Sequence, residues 1–85
     1  MIADDVAKMI YAIRYESFRK EEREPIVVVY MEMNLWFSMM NELHDKLSPQ
    51  AYEVYSSQGR KISGCDIYRV VSEGHGIKVL KVGEI

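Results

Sequence analysis

Apolar residues recur at helical spacing from Ile2 to about Arg23, placing Ile2, Val6, Met9, Ile10 and Ile13 on one side. Tyr11, Tyr15 and Phe18 fall on nearly the reverse side, with Ala7 beside them. A surface helix normally buries one stripe and solvates the rest, so a second, aromatic stripe points to a partner. Asp4 and Asp5 in the first turn and Arg19, Lys20 and Arg23 near the end suit the helix dipole. Asp4–Lys8 and Glu16–Lys20 are acid-before-base pairs one turn apart, each adding a few tenths of a kcal/mol. Pro25, which lacks an N–H and biases Glu24 toward extended backbone, is expected to stop this helix.

The run Ile26 to Met31 is β-branched and continuous rather than alternating, which predicts a central strand covered on both faces. Helical spacing returns from Asn34 to Leu47, with Trp36, Met39, Met40, Leu43 and Leu47 on one stripe. Asn34 is the expected N-cap of this second helix, and Ser48-Pro49 its stop. Tyr52-Glu53-Val54-Tyr55 fits a short strand or an extended connector equally well. Gly59 and Gly64 bracket Arg60-Lys61-Ile62, expected to be a turn or short edge element. Cys65 to Val71 and Ile77 to Val82 are clearer strands, joined by the hairpin-type loop Ser72-Glu73-Gly74-His75-Gly76. Helix, strand, helix and a C-terminal β-hairpin region make a single α+β domain over residues 1–85, with a small mixed or antiparallel sheet.

Charge and composition narrow the function classes. Net charge is −2, and Arg14, Arg19, Lys20 and Arg23 are interleaved with Glu16, Glu21, Glu22 and Glu24, so no electrostatic footprint for nucleic acid is present. A hydrophobic share of 48% with 28% charged residues fits a folded, soluble domain. Cys65 is the only cysteine, which excludes an intramolecular disulfide. The start Met-Ile-Ala-Asp-Asp lacks the basic and apolar regions of a signal peptide, and Ile26 to Met31 is too short to span a bilayer. These features predict a cytoplasmic protein that binds neither membrane nor nucleic acid.

The residues that could carry chemistry lack convergent partners. Glu42, His44 and Asp45 lie close in sequence on the second helix, but neighbouring helical positions point in different directions, unlike metal ligands or an acid–base pair. His75 stands in a glycine loop, and Gly74-His75-Gly76 is followed by no helix and lacks the phosphate-loop pattern. Cys65 has neither histidine near it in sequence and reads as a small buried apolar residue. Met31, Met33, Met39 and Met40 read as core filling. No catalytic residue, cofactor or metal ligand is therefore assigned. Six tyrosines and one tryptophan in 85 residues are a rich supply of interface-favoured side chains. Tyr30 and Trp36 fit the core; Ala7, Tyr11, Tyr15 and Phe18 are the expected interface.

From about Val27 onward the order of residues resembles the axial-domain segment of tailed-phage major capsid proteins, with the end of the spine helix leading into it. The stretch Ile26 to Met31, Glu32-Met33, then Trp36 with Leu43 follows the family's strand, loop and helix. Ile62-Ser63-Gly64-Cys65-Asp66-Ile67-Tyr68 and Ile77 to Gly83 follow its next strand and return. Glu32-Met33 replaces the usual Asn/Ser-Pro, Asp66 stands where proline is usual, and the family's arm, extended loop and most of its peripheral domain have no counterpart here. The resemblance implies a small phage- or prophage-encoded protein, acting in the host cytoplasm, rather than a whole capsid subunit. The expected function is non-enzymatic protein–protein contact, as a homo-oligomer or by docking on a larger assembly through the first helix. The alternative is an inhibitor or regulator of a host enzyme or defence complex that acts by occlusion.

Overall fold

The N-terminal helix, α1 (Ile2–Arg19), ends at Arg19 rather than near Arg23. The computed structural model describes residues 1–57 and 61–85. It closes α1 with Lys20 as C-cap and Glu21 in left-handed backbone at φ 56°. The Glu21 N–H donates to the Phe18 carbonyl and the Glu22 N–H to the Ser17 carbonyl, both at 3.0 Å. These paired bonds satisfy carbonyls that a helix end otherwise leaves open, so the chain turns before Pro25 is reached. At the other end, the Ile2 N–H donates to the Glu42 carboxylate at 2.8 Å, a cap supplied from a distant helix.

Pro25 instead opens β1 (Pro25–Glu32), which runs directly into α2 (Met33–Lys46). Asn34 is therefore inside the helix and not its N-cap; that position is Glu32, whose carboxylate accepts from the Gly76 N–H. The Ser48-Pro49 step ends α2 but also starts another helix, α3 (Pro49–Ser57). Ser48 Oγ accepts from the Ala51 N–H at 3.2 Å, and Pro49 takes the first helical position, where a missing N–H costs nothing. Tyr52–Tyr55 is thus helical, neither strand nor connector. Of the element expected around 60–62, residues 59 and 60 lie outside the described residues.

Three strands form the sheet in the order β2 (Ile67–Val70), β1, β3 (Ile77–Glu84). β1 is central, as its composition predicts, parallel to β2 (Val29↔Ile67) and antiparallel to β3 (Val28↔Leu80). The sheet is therefore mixed. The strands joined by the glycine loop do not pair with each other, which corrects the hairpin expectation: they flank β1 on opposite sides. The loop is tied to the end of β1, where the Glu32 N–H donates to the Gly76 carbonyl at 2.9 Å while Gly76 donates to the Glu32 side chain at 3.1 Å. That anchoring carries the chain across β1 before β3 begins.

Among the described residues, helices cover one face of the sheet. Val27, Val29 and Met31 point inward and are buried with Val6 and Ile10 of α1 and Trp36, Met39, Met40 and Leu43 of α2. Ser17 is buried in the last turn of α1, while Met9, expected inside, is exposed. Among the described residues no layer covers the other face of β1: Ile26 is exposed and Val28 and Tyr30 are half-buried. The continuous run is thus covered on one side, because α1 and α2 both pack on the inner face.

Candidate interaction surface

The buried side of α1 faces the sheet and α2, leaving Tyr11, Tyr15 and Phe18 in solvent at 67%, 53% and 78% exposure. Burial alternates as it does because Val6, Ile10 and Ser17 recur on the sheet side, while positions 11, 15 and 18 follow a line about one turn apart. Tyr11 and Tyr15 stack with ring centroids 6.1 Å apart and planes 22° from parallel. Ala7 is half-buried, packs against the core and lines a shallow depression with Asp4, Lys8 and Tyr11. It marks the border of the stripe rather than its centre. At the far end Phe18 lines a second depression with Arg14, Arg23, Glu24 and Pro25. An aromatic line with charged residues around it has the make-up of an interface core and its polar rim.

Beside the stripe, Arg14 reaches from α1 to a tight turn. Ser63 and Gly64 both adopt positive φ, 51° and 78°, and close Ile62 and Cys65 into a two-residue turn with bonds of 3.2 and 2.8 Å. The turn presents the Ser63 carbonyl to Arg14 Nη2 at 2.8 Å, and the same nitrogen lies 3.4 Å from Cys65 Sγ. Cys65 is buried, as expected, although it stands in this turn ahead of β2 rather than in a strand. The Arg14 contacts fasten the turn to α1. His44 is exposed and edge-on to Tyr52 at 5.2 Å, and His75 lies in the loop between β2 and β3. None of the hydrogen bonds among the described residues joins a histidine to Cys65. Among the described residues no group of three His, Cys, Asp or Glu side chains could hold a metal ion, and no helix is long and apolar enough to cross a membrane.

A second apolar surface is exposed where the sequence predicts a covered strand. On the outer face of the sheet, Ile26, Val28 and Tyr30 of β1 lie beside Tyr68 and Val70 of β2 and Leu80 of β3, and Val82 is exposed at a bulge opposite the Ile26–Val27 step. Tyr30 and Tyr68 stack at 5.5 Å. The unalternating strand was itself the signal, since its outward residues are as apolar as its inward ones. No protein-family model, curated protein or solved structure matches this chain.

Proposed function

We propose that this chain is a non-enzymatic, phage- or prophage-derived protein that works by docking on a protein partner through the aromatic face of α1. The observation that carries the docking reading is the line Tyr11, Tyr15 and Phe18, three large rings held in water on a helix already anchored by its other side. Large aromatics with few rotatable bonds lose little entropy on docking and commonly dominate interface energy, at about 2 kcal/mol or more each. The phage origin is supported by the residue order from Val27 onward.

A Tyr11→Glu, Tyr15→Glu double variant tests this. Both side chains are solvent-exposed, so circular dichroism and the melting temperature should stay as in the wild type. Capture of the partner, measured side by side for the two proteins, should be lost. An unfolded variant, or one that captures the same partner as the wild type, would overturn the reading.

A further inference from the structure

We propose that the outer face of the sheet is a self-association surface, on which a second copy of this chain packs face to face to make a two-fold dimer. Six apolar side chains form the patch: Ile26, Val28 and Tyr30 on the central strand, Tyr68 and Val70 on one edge strand and Leu80 on the other, with exposed Val82 at the bulge opposite the Ile26–Val27 step. Ile26, Tyr68, Leu80 and Val82 are exposed although they sit in strands. Ordinary antiparallel sheets that face water on one side carry polar residues there. Here the solvent side of the central strand is apolar until Glu32.

Charge and area both favour a second copy. Among the described residues, the charged side chains on the face are Lys78, beside Tyr30, and Glu32, which is already bonded to the Gly76 N–H. It has no net charge to attract an acidic or basic partner, and none to repel its own image. The stacked tyrosines occupy one half of the face, and Ile26, Val28 and Leu80 the other, with Val82 at the adjoining bulge. A two-fold axis running across the strands would set the aromatic half of one copy on the aliphatic half of the other, the self-complementary arrangement that an isologous interface requires. Two strands of eight residues and an edge strand of four, about 4.8 Å apart, give a face about 26 Å long that is three strands wide over only half of that length. With its residues at most about half exposed, it would bury on the order of 400–500 Å² per copy, close to the ~1,000 Å² total of the smallest specific interfaces and the size of a weak, concentration-dependent dimer. Sheets stacked about 10 Å apart would then supply the missing second layer.

The inference goes beyond the docking reading of α1 and gives it a consequence. The sheet faces would meet inside the dimer, and the two α1 stripes would remain outside it, so the dimer would present two partner-binding helices. The test is the solution mass of three full-length proteins: wild type, a Leu80→Glu, Val82→Glu variant and the Tyr11→Glu, Tyr15→Glu variant. The wild type and the tyrosine variant should both weigh twice the 9.9 kDa chain mass at about 100 μM. The sheet variant should be a monomer with an unchanged circular dichroism spectrum, its association weakened at least about 100-fold by unpaired carboxylates in the interface. A monomeric wild type overturns the proposal, as does a sheet variant that still dimerises. Loss of the dimer only in the tyrosine variant would assign self-association to α1 and likewise overturn it, while leaving the docking reading intact. Should the sheet variant unfold, side-chain footprinting of the wild type decides. Ile26, Tyr68 and Leu80 should be protected at high concentration and reactive on dilution, with Tyr11 and Tyr15 reactive throughout; unprotected sheet residues would refute the dimer.

Discussion

The two sides of β1 are built from the same kinds of residue and end in different surroundings. Val27, Val29 and Met31 are buried under α1 and α2, whereas Ile26, Val28 and Tyr30 look out from the sheet. In a longer α/β chain, crossover helices would cover both faces. Here the β1-to-β2 connection supplies α2 and α3, the N-terminal segment supplies α1, and β3 follows from a short loop. One layer of helices results. The same composition thus means core on one side and unfinished surface on the other.

Two leucines make that contrast measurable. Leu43 on α2 is 6% exposed and Leu80 on the outer face of β3 is 46% exposed. Leu43→Ala should cost about 2–5 kcal/mol, the loss of transfer energy plus the cavity left behind. In a small domain with about 5 kcal/mol in hand, that is enough to unfold much of the population. Leu80→Ala, in dilute solution where copies do not meet, should cost about 1 kcal/mol or less, because nearly half its surface is already in water. Urea denaturation of both variants gives the two values. Equal costs would mean that the sheet faces are not distinguished as described.

Much of the covered side was legible in the sequence, because its signals are periodic. The stripe Trp36, Met39, Met40 and Leu43 is buried as its spacing predicts, and Tyr11, Tyr15 and Phe18 are turned outward as theirs predicts. The parts that were misread depend on punctuation or on distant contacts. Ser48-Pro49 reads as a stop, yet a serine followed by proline is also a helix start, and both roles are used within three residues. The short glycine loop reads as a hairpin until Glu32 binds Gly76 across 44 residues of sequence and sends β3 to the far side of β1. The sequence carries α1 to about Arg23, ahead of Pro25, because no glycine marks the left-handed position that Glu21 fills.

Glu21 offers the next test, since it fixes where α1 stops lying over the inner face. A non-glycine residue at φ 56° carries backbone strain, and its negative charge sits unfavourably at a helix C-terminus. Glu21→Gly should therefore stabilise the fold by about 0.5–1 kcal/mol, raising the melting temperature by about 4–8 °C for each kcal/mol in a domain of this size. Glu21→Gln removes the charge and keeps the strain, so it should give only part of the gain. If the two variants melt together, the strain argument fails and charge alone is at work.

The smallest expected effect belongs to the clamp that holds the end of α1 against β3. Lys81, whose register partner is Val27, lies on the covered face and bonds to Glu22 at 2.9 Å and Glu84 at 2.8 Å. The hydrogen bond from Lys81, and then its charge, hold the Glu22 carboxyl below its ordinary 4.5. Hydrogen bonds to Glu22 and Glu84 hold the Lys81 ammonium above its ordinary 10.5. A carboxyl depressed on folding stabilises the fold above its unfolded value and loses that contribution as pH falls through the folded one, so the acid limb begins near pH 4.5 and runs downward. An ammonium raised on folding stabilises it below 10.5 and loses the contribution as pH rises beyond that. All three side chains are a third or more exposed, so screening keeps the effect small. Lys81→Met should lower the melting temperature by a small, constant amount between those limits, and the gap from wild type should close at both extremes. Melting curves at about pH 3, 7 and 11 are sufficient; a gap that stays the same at all three would mean that packing of the lysine stem, rather than its charge, ties α1 to the sheet.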